Sequence, residues 1–145
     1  MKLKYKHQRF QEDAARAVTD CFLGQPHYDG ASNFLVDQGI ENGQRSMLTL
    51  EGFANAPLEP GVPLRDNIRR VQTSFGLKPI DQLEGDGRTL TIEMETGTGK
   101  TFTYIKTMFE LNKLYGWTKF IVVVPSIAIR EGVLSSFDSM SEYFA

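Results

Sequence analysis

The sequence predicts an α/β fold, part of a parallel sheet with its connecting helices, interrupted by a loop-rich insertion. Three observations carry that expectation. In the last third of the chain, strand-like and helix-like segments alternate with short connections, the pattern of a βαβ unit and hence of parallel strands. Before it, residues 24–87 hold nine of the 13 glycines and five of the six prolines, a density of chain breakers that marks turns and loops. Ahead of that stretch, one amphipathic segment reads as a helix. The expected organisation is therefore an N-terminal region over 1–23, an insertion over 24–87 and a βαβ unit over 88–145.

Each element follows from local pattern. Met1, Leu3 and Tyr5 alternate with Lys2, Lys4 and Lys6, a period of two that suits a short edge strand guarded by lysine. The period changes at Arg9. Phe10, Ala14, Ala17, Val18, Cys21 and Phe22 then share one helical face, and Gly24 and Pro26 end the helix. Asn42-Gly43, between Phe34–Ile40 and Ser46–Leu50, suggests a hairpin turn because both residues tolerate positive φ. Leu64, Ile68, Val71 and Phe75 repeat at helical spacing, with Asp66 near the start and Gly76 behind, as a three-turn helix requires. Thr89–Met94 reads as a strand, and Thr101–Tyr115 as a helix closed by Gly116. Lys119–Val124 reads as a buried strand stopped by Pro125, and a last helix is expected from Ile127 to about Phe137.

Composition excludes several classes. The 145 residues are 41% hydrophobic and 23% charged, a globular rather than a disordered balance. Lysine and arginine total 16 against 18 acidic residues, a net charge of −2. Capture of nucleic acid through bulk charge is therefore not expected, although a local basic site is compatible with it. The single cysteine, Cys21, precludes an internal disulfide framework and fits a reducing compartment. The longest aliphatic run, Phe120–Val124, is far short of the roughly 20 residues that span a bilayer. The basic start has no apolar stretch behind it and is not a secretory signal. A cytoplasmic protein without a membrane role is the expectation. His7, His27 and Cys21 have no metal-ligand spacing.

The chemistry concentrates in Met94-Glu-Thr-Gly-Thr-Gly-Lys-Thr101, between the first expected strand of the βαβ unit and its helix. Gly97 and Gly99 allow a tight turn in which successive N–H groups, with those of Thr96 and Thr98, face a phosphate. Lys100 adds a point charge for the β and γ phosphates. Thr101 offers a hydroxyl to Mg²⁺ at a helix N-terminus whose dipole favours anions. The full phosphate-loop pattern asks for glycine five positions before Gly99, where this chain has Met94. An ordinary glycine-rich turn would not call for Gly-Lys-Thr at the helix start.

With these residues in view the chain resembles a family. Glu95–Thr101 resembles motif I of superfamily-two helicases. Phe10-Gln11 followed by Ala14 resembles their Q motif, in which a glutamine reads adenine. Val122–Ser126 followed by Arg130 resembles motif Ia, which contacts one DNA strand. The longer runs Met94–Thr101 and Lys119–Gly132, with Asn67–Gln72 ahead of them, are similar to the Res subunits of type III restriction enzymes. The resemblance is sparse across residues 24–64. It implies part of a RecA-like phosphate-loop NTPase domain, ATP and Mg²⁺ as cofactors, double-stranded DNA as partner and a modification (methyltransferase) subunit in the full complex. By the same implication Gln11, Thr96, Gly97, Thr98, Gly99, Lys100 and Thr101 hold the nucleotide, Lys100 and Thr101 are catalytic, and Pro125, Ser126 and Arg130 touch DNA. Read alone, Gln11 is more often a surface residue, and only its pairing with the phosphate loop favours the adenine role; Ser126 and Arg130 equally cap and decorate a helix. A superfamily-two translocase without a nuclease role, or a phosphate-loop module unrelated to DNA, fits the same loop.

One part is missing from the pattern. Phosphate-loop ATPases hold Mg²⁺ with an aspartate after a later strand. After Val124 the acids are Glu131, Asp138 and Glu142, none ending an apolar strand, and Asp37 precedes the loop. Residues 1–145 alone are accordingly expected to bind ATP weakly and to turn it over inefficiently.

Overall fold

The computed structural model describes residues 8–28, 34–35, 40–41, 44–45, 53–83 and 89–144. In chain order these form α1 (Arg9–Asp20), β1 (Phe34–Leu35), β2 (Ile40–Glu41), β3 (Gln44–Arg45), β4 (Phe53–Ala54), α2 (Leu64–Ser74), α3 (Lys100–Tyr115) and α4 (Ile127–Phe144). The strand expected at Met1–Tyr5, Asp37 and the Asn42-Gly43 turn lie outside the described residues.

The parallel sheet is not there among the described residues, and the expected fold class is corrected accordingly. Thr89–Met94 and Lys119–Val124, read as its strands, enter no ladder. The sheet structure consists instead of two antiparallel pairs of two-residue strands. Phe34 of β1 lies opposite Ala54 of β4, and Ile40 of β2 lies opposite Arg45 of β3. Among the described residues the long elements are all helices. The physical reason is that an apolar run supplies side chains for a strand but not the second backbone that makes it one. Ile121 and Val123 remain 92% and 89% exposed. The backbone of Thr118 and Lys119 is met by a side chain. Asn55 Oδ1 accepts from both their N–H groups at 2.9 Å, and Asn55 Nδ2 donates to the Lys119 carbonyl at 2.7 Å.

α1 and α4 lie against α3, and α2 lies against α1. Phe102 and Ile105 of α3 meet Met140 of α4, with Tyr104 and Phe137 beside them. α3 ends where expected, at Gly116, whose φ of 74° takes the left-handed cap. Any Cβ there would overlap the Tyr28 carbonyl. The expected last helix is longer than Phe137, running to Phe144.

The buried face of α1 is also corrected. Ala15 and Thr19 are 1% and 3% exposed, whereas Phe10 is 47% exposed. The apolar stripe assumes that the bulkiest side chains point inward. Here α3 approaches over small ones: Ala15 adds little volume, and the Thr19 hydroxyl is satisfied within its own helix by the Arg16 carbonyl. Tyr115 donates its hydroxyl to the Thr19 carbonyl at 2.9 Å, and burial raises its pKa above the ordinary tyrosine value. Tyr115 and Trp117 pack around Phe22, the Phe22 and Trp117 rings 5.1 Å apart and nearly perpendicular.

Two side chains tie the loop-rich region to the helices. Asn67, 1% exposed, donates to the Cys21 and Leu23 carbonyls just beyond α1 at 3.1 and 2.8 Å. Gln25 donates to the Pro57 carbonyl and accepts from the Glu59 N–H. The Cys21 thiol is buried, which pushes its pKa up to about 11.

The Tyr104 hydroxyl is buried without a hydrogen-bond partner among the described residues. An unsatisfied buried hydroxyl is worth roughly 1–3 kcal/mol of destabilisation. Tyr104→Phe is therefore expected to leave stability unchanged or raise it, as read from urea unfolding. A loss above about 1 kcal/mol would mean that the hydroxyl is held by a group outside the described residues.

Candidate functional site

The loop that carries the chemistry ends in the first turn of α3. Gly97 and Gly99 both have positive φ, 81° and 84°, a conformation in which glycine alone carries no steric penalty. A side chain at Gly97 would meet nothing within 4 Å, so one side of the loop is open. The Thr98 hydroxyl bonds to the Glu95 carbonyl at 2.6 Å and closes the turn. Gly99 then occupies the position before α3, and its carbonyl accepts from the Thr103 N–H at 3.0 Å and the Thr103 hydroxyl at 3.2 Å. α3 begins at Lys100, one residue earlier than the pattern implied. By helix geometry the amides of Lys100, Thr101 and Phe102 have no carbonyl behind them, and they converge with the dipole on the loop. Lys100 is exposed and Thr101 half-buried.

Gln11, 87 positions earlier, is brought to this loop. Its side-chain Nε2 donates to the Thr98 carbonyl at 2.9 Å, and a Cβ on Gly99 would stand 2.5 Å from that nitrogen. One residue on, Glu12 Oε1 lies 3.3 Å from Lys106 Nζ, whose side chain is 14% exposed. Nothing in the sequence singles out Lys106, because its partner is on another helix.

Pro125, Ser126 and Arg130 sit elsewhere, at the start of α4. Ser126 Oγ accepts from the Ile129 N–H at 3.3 Å, and the Ser126 carbonyl accepts from Arg130 N–H at 3.0 Å. Ser126 thus caps the helix. The Arg130 guanidinium is largely exposed, 3.9 Å from Glu131. It edges an apolar cavity of about 440 Å³ lined by Met108, Phe120, Val122, Leu134 and Phe137. No cluster of three or more histidine, cysteine or acidic side chains that could hold a metal lies among the described residues. No helix there is long and apolar enough to cross a membrane.

The sequence matches known proteins over about half of its length. The chain is 42% identical over 82 residues to the type III restriction-modification enzyme EcoP15I Res subunit of Escherichia coli. It is 40% identical over 81 residues to the EcoPI Res subunit of Escherichia phage P1. Each match takes in 54% of this chain and 8% of the relative, so the chain spans less than a tenth of their length. The StyLTI Res subunit of Salmonella typhimurium is 51% identical over 67 residues, 46% of this chain and 7% of the relative. The family described as "Type III restriction enzyme, res subunit" matches residues 65–144, a range that holds the glycine loop, α3 and all of α4 but not Gln11. With more than half of its length inside that match, this chain belongs to the family of type III restriction enzyme Res subunits.

Proposed function

We propose that this chain is the ATP-binding part of an ATP-dependent DNA translocase and endonuclease that works with a modification (methyltransferase) subunit. The observation that carries the reading is the loop from Glu95 to Thr101: two left-handed glycines run directly into a helix opening on Lys-Thr, with Gln11 docked against it. The residues fit a nucleoside triphosphate. The first amides of α3 and of the glycine loop receive phosphate oxygens, and Lys100 supplies the charge. Thr101 is the residue that would hold Mg²⁺, which when bound neutralises phosphate charge. No acidic cluster is gathered beside it among the described residues. The Gln11 amide has a second N–H and its Oε1 left to meet adenine N7 and the N6 amino group.

Duplex DNA is the proposed partner of Pro125, Ser126 and Arg130. With Ser126 engaged as the cap, Arg130 carries the larger share of that contact. A single arginine at a helix start meets the phosphodiester backbone, which positions the strand without reading its sequence. Arg130→Ala is expected to weaken duplex binding about equally across sequences and to reduce the salt slope of the affinity by about one. Fluorescence anisotropy at several salt concentrations measures both. An unchanged slope would return Arg130 to the surface of α4. The reading as a whole is tested by calorimetric titration with ATP and Mg²⁺, in which the absence of saturable binding would defeat it.

A further inference from the structure

The contact between Gln11 and the Thr98 carbonyl does more than bring a base-reading amide near the nucleotide. We propose that Gln11 is a positioning residue of the phosphate loop: by holding the Thr98 carbonyl it turns the Gly99 N–H toward the phosphates. This rests on the phosphate-binding reading given above and adds to it a role that does not depend on any base.

The argument is geometric. A trans peptide is planar, so its C=O and N–H point in opposite directions, and the described chain has no cis peptide. Gln11 Nε2 holds the Thr98 oxygen at 2.9 Å, so the Gly99 N–H is directed away from α1. The other end of Gly99 is also held, because its carbonyl takes two bonds from Thr103 of α3. Gly99 is therefore held through the peptides on both sides of it, one bonded from α1 and the next from α3, at a φ of 84° that glycine adopts without steric penalty. Gly99 must be glycine on two counts, since a Cβ would also stand 2.5 Å from the Gln11 nitrogen.

The clamp works only if α1 keeps its register on α3. Three contacts hold it there. Ala15 is sealed at 1% exposure. Lys106 meets Glu12 at 3.3 Å. Tyr115 anchors the far end through the Thr19 carbonyl at 2.9 Å. These lie along one side of α1, and Gln11 extends from the end of that line nearest the loop.

The test uses a ligand without a base. Inorganic triphosphate with Mg²⁺, GTP and ATP are titrated calorimetrically into the wild-type protein, Gln11→Ala, Gln11→Glu and Lys106→Met, each compared at equal folded fraction from its melting curve. Losing one hydrogen bond that orients the loop should lower triphosphate affinity about 3- to 10-fold in Gln11→Ala. GTP should fall by the same factor and ATP by more, the excess being the adenine contact. Gln11→Glu keeps the shape but sets an acceptor against the Thr98 carbonyl, and should lose at least as much for triphosphate. Lys106→Met should move in the same direction by a smaller factor. Unchanged triphosphate affinity in both Gln11 variants, with ATP alone weakened, would overturn the positioning role and leave Gln11 as a base reader. Wild-type protein that binds neither triphosphate nor ATP would instead defeat the phosphate-site reading beneath it.

Discussion

Lys100→Ala is expected to lower affinity for Mg²⁺-ATP by about 10- to 150-fold, the equivalent of roughly 1.5–3 kcal/mol for a charge-assisted hydrogen bond. The expectation follows from where α3 begins. Lys100 is its first residue and is exposed, directly after two glycines of positive φ. Its ammonium makes none of the ion pairs resolved among the described residues, so the substitution breaks no structural bridge. What is removed is the point charge beside the first amides of the helix. Those amides and the dipole remain, which is why binding should be weakened rather than abolished. Lys100→Arg is not a conservative rescue, because a planar guanidinium fork does not place its charge as a compact ammonium does. Isothermal titration at fixed salt measures the effect. Equal affinities for wild type and Lys100→Ala, with the fold intact by circular dichroism, would remove the loop from the nucleotide site.

Asn67→Ala is expected to be the most damaging of the substitutions considered to the fold itself, lowering unfolding free energy by about 2–4 kcal/mol. Asn67 is 1% exposed. Its amide donates to the carbonyls of Cys21 and Leu23, just past the end of α1, where a helix leaves its last carbonyls without partners. Its own oxygen accepts from Arg70 at 3.2 Å. Alanine removes the donor and leaves the buried Cys21 carbonyl unmatched, at roughly 1–3 kcal/mol for an unsatisfied group, together with the part-buried Leu23 carbonyl. Asn67→Asp should fare no better, since it sets an acceptor against two acceptors. Urea unfolding followed by circular dichroism measures both variants. A loss below about 0.5 kcal/mol would show that water or another donor replaces Asn67 at no cost.

Asn67 also shows what a sequence can and cannot disclose. It falls in the Asn67–Gln72 run that resembles the Res family, so the position is marked by wording alone. Its role is not marked, because the carbonyls it serves lie 44 and 46 positions earlier. The same division runs through the rest of the chain. α2 spans Leu64–Ser74 and α3 closes at Gly116 as their local patterns require, because helix bonds join residues four apart and caps act within a turn. The glycine loop is legible for the same reason: positive φ at Gly97 and Gly99 and a helix opening at Lys100 are properties of eight consecutive residues.

By itself, then, the sequence determined the helices, the glycine loop and membership in the Res family, all of which reside in contiguous residues. Tertiary structure alone decided three things. It placed Gln11 on the Thr98 carbonyl, a contact between residues 87 apart. It chose Ala15 and Thr19, not Phe10, as the buried face of α1, since which face is covered depends on how closely α3 can approach. And it left Thr89–Met94 and Lys119–Val124 outside any ladder, where the succession of strand-like and helix-like segments had implied parallel strands. A helix satisfies its backbone from within its own segment, so its pattern is local. A strand requires a second backbone at hydrogen-bonding distance, and no run of side chains specifies whether one is there.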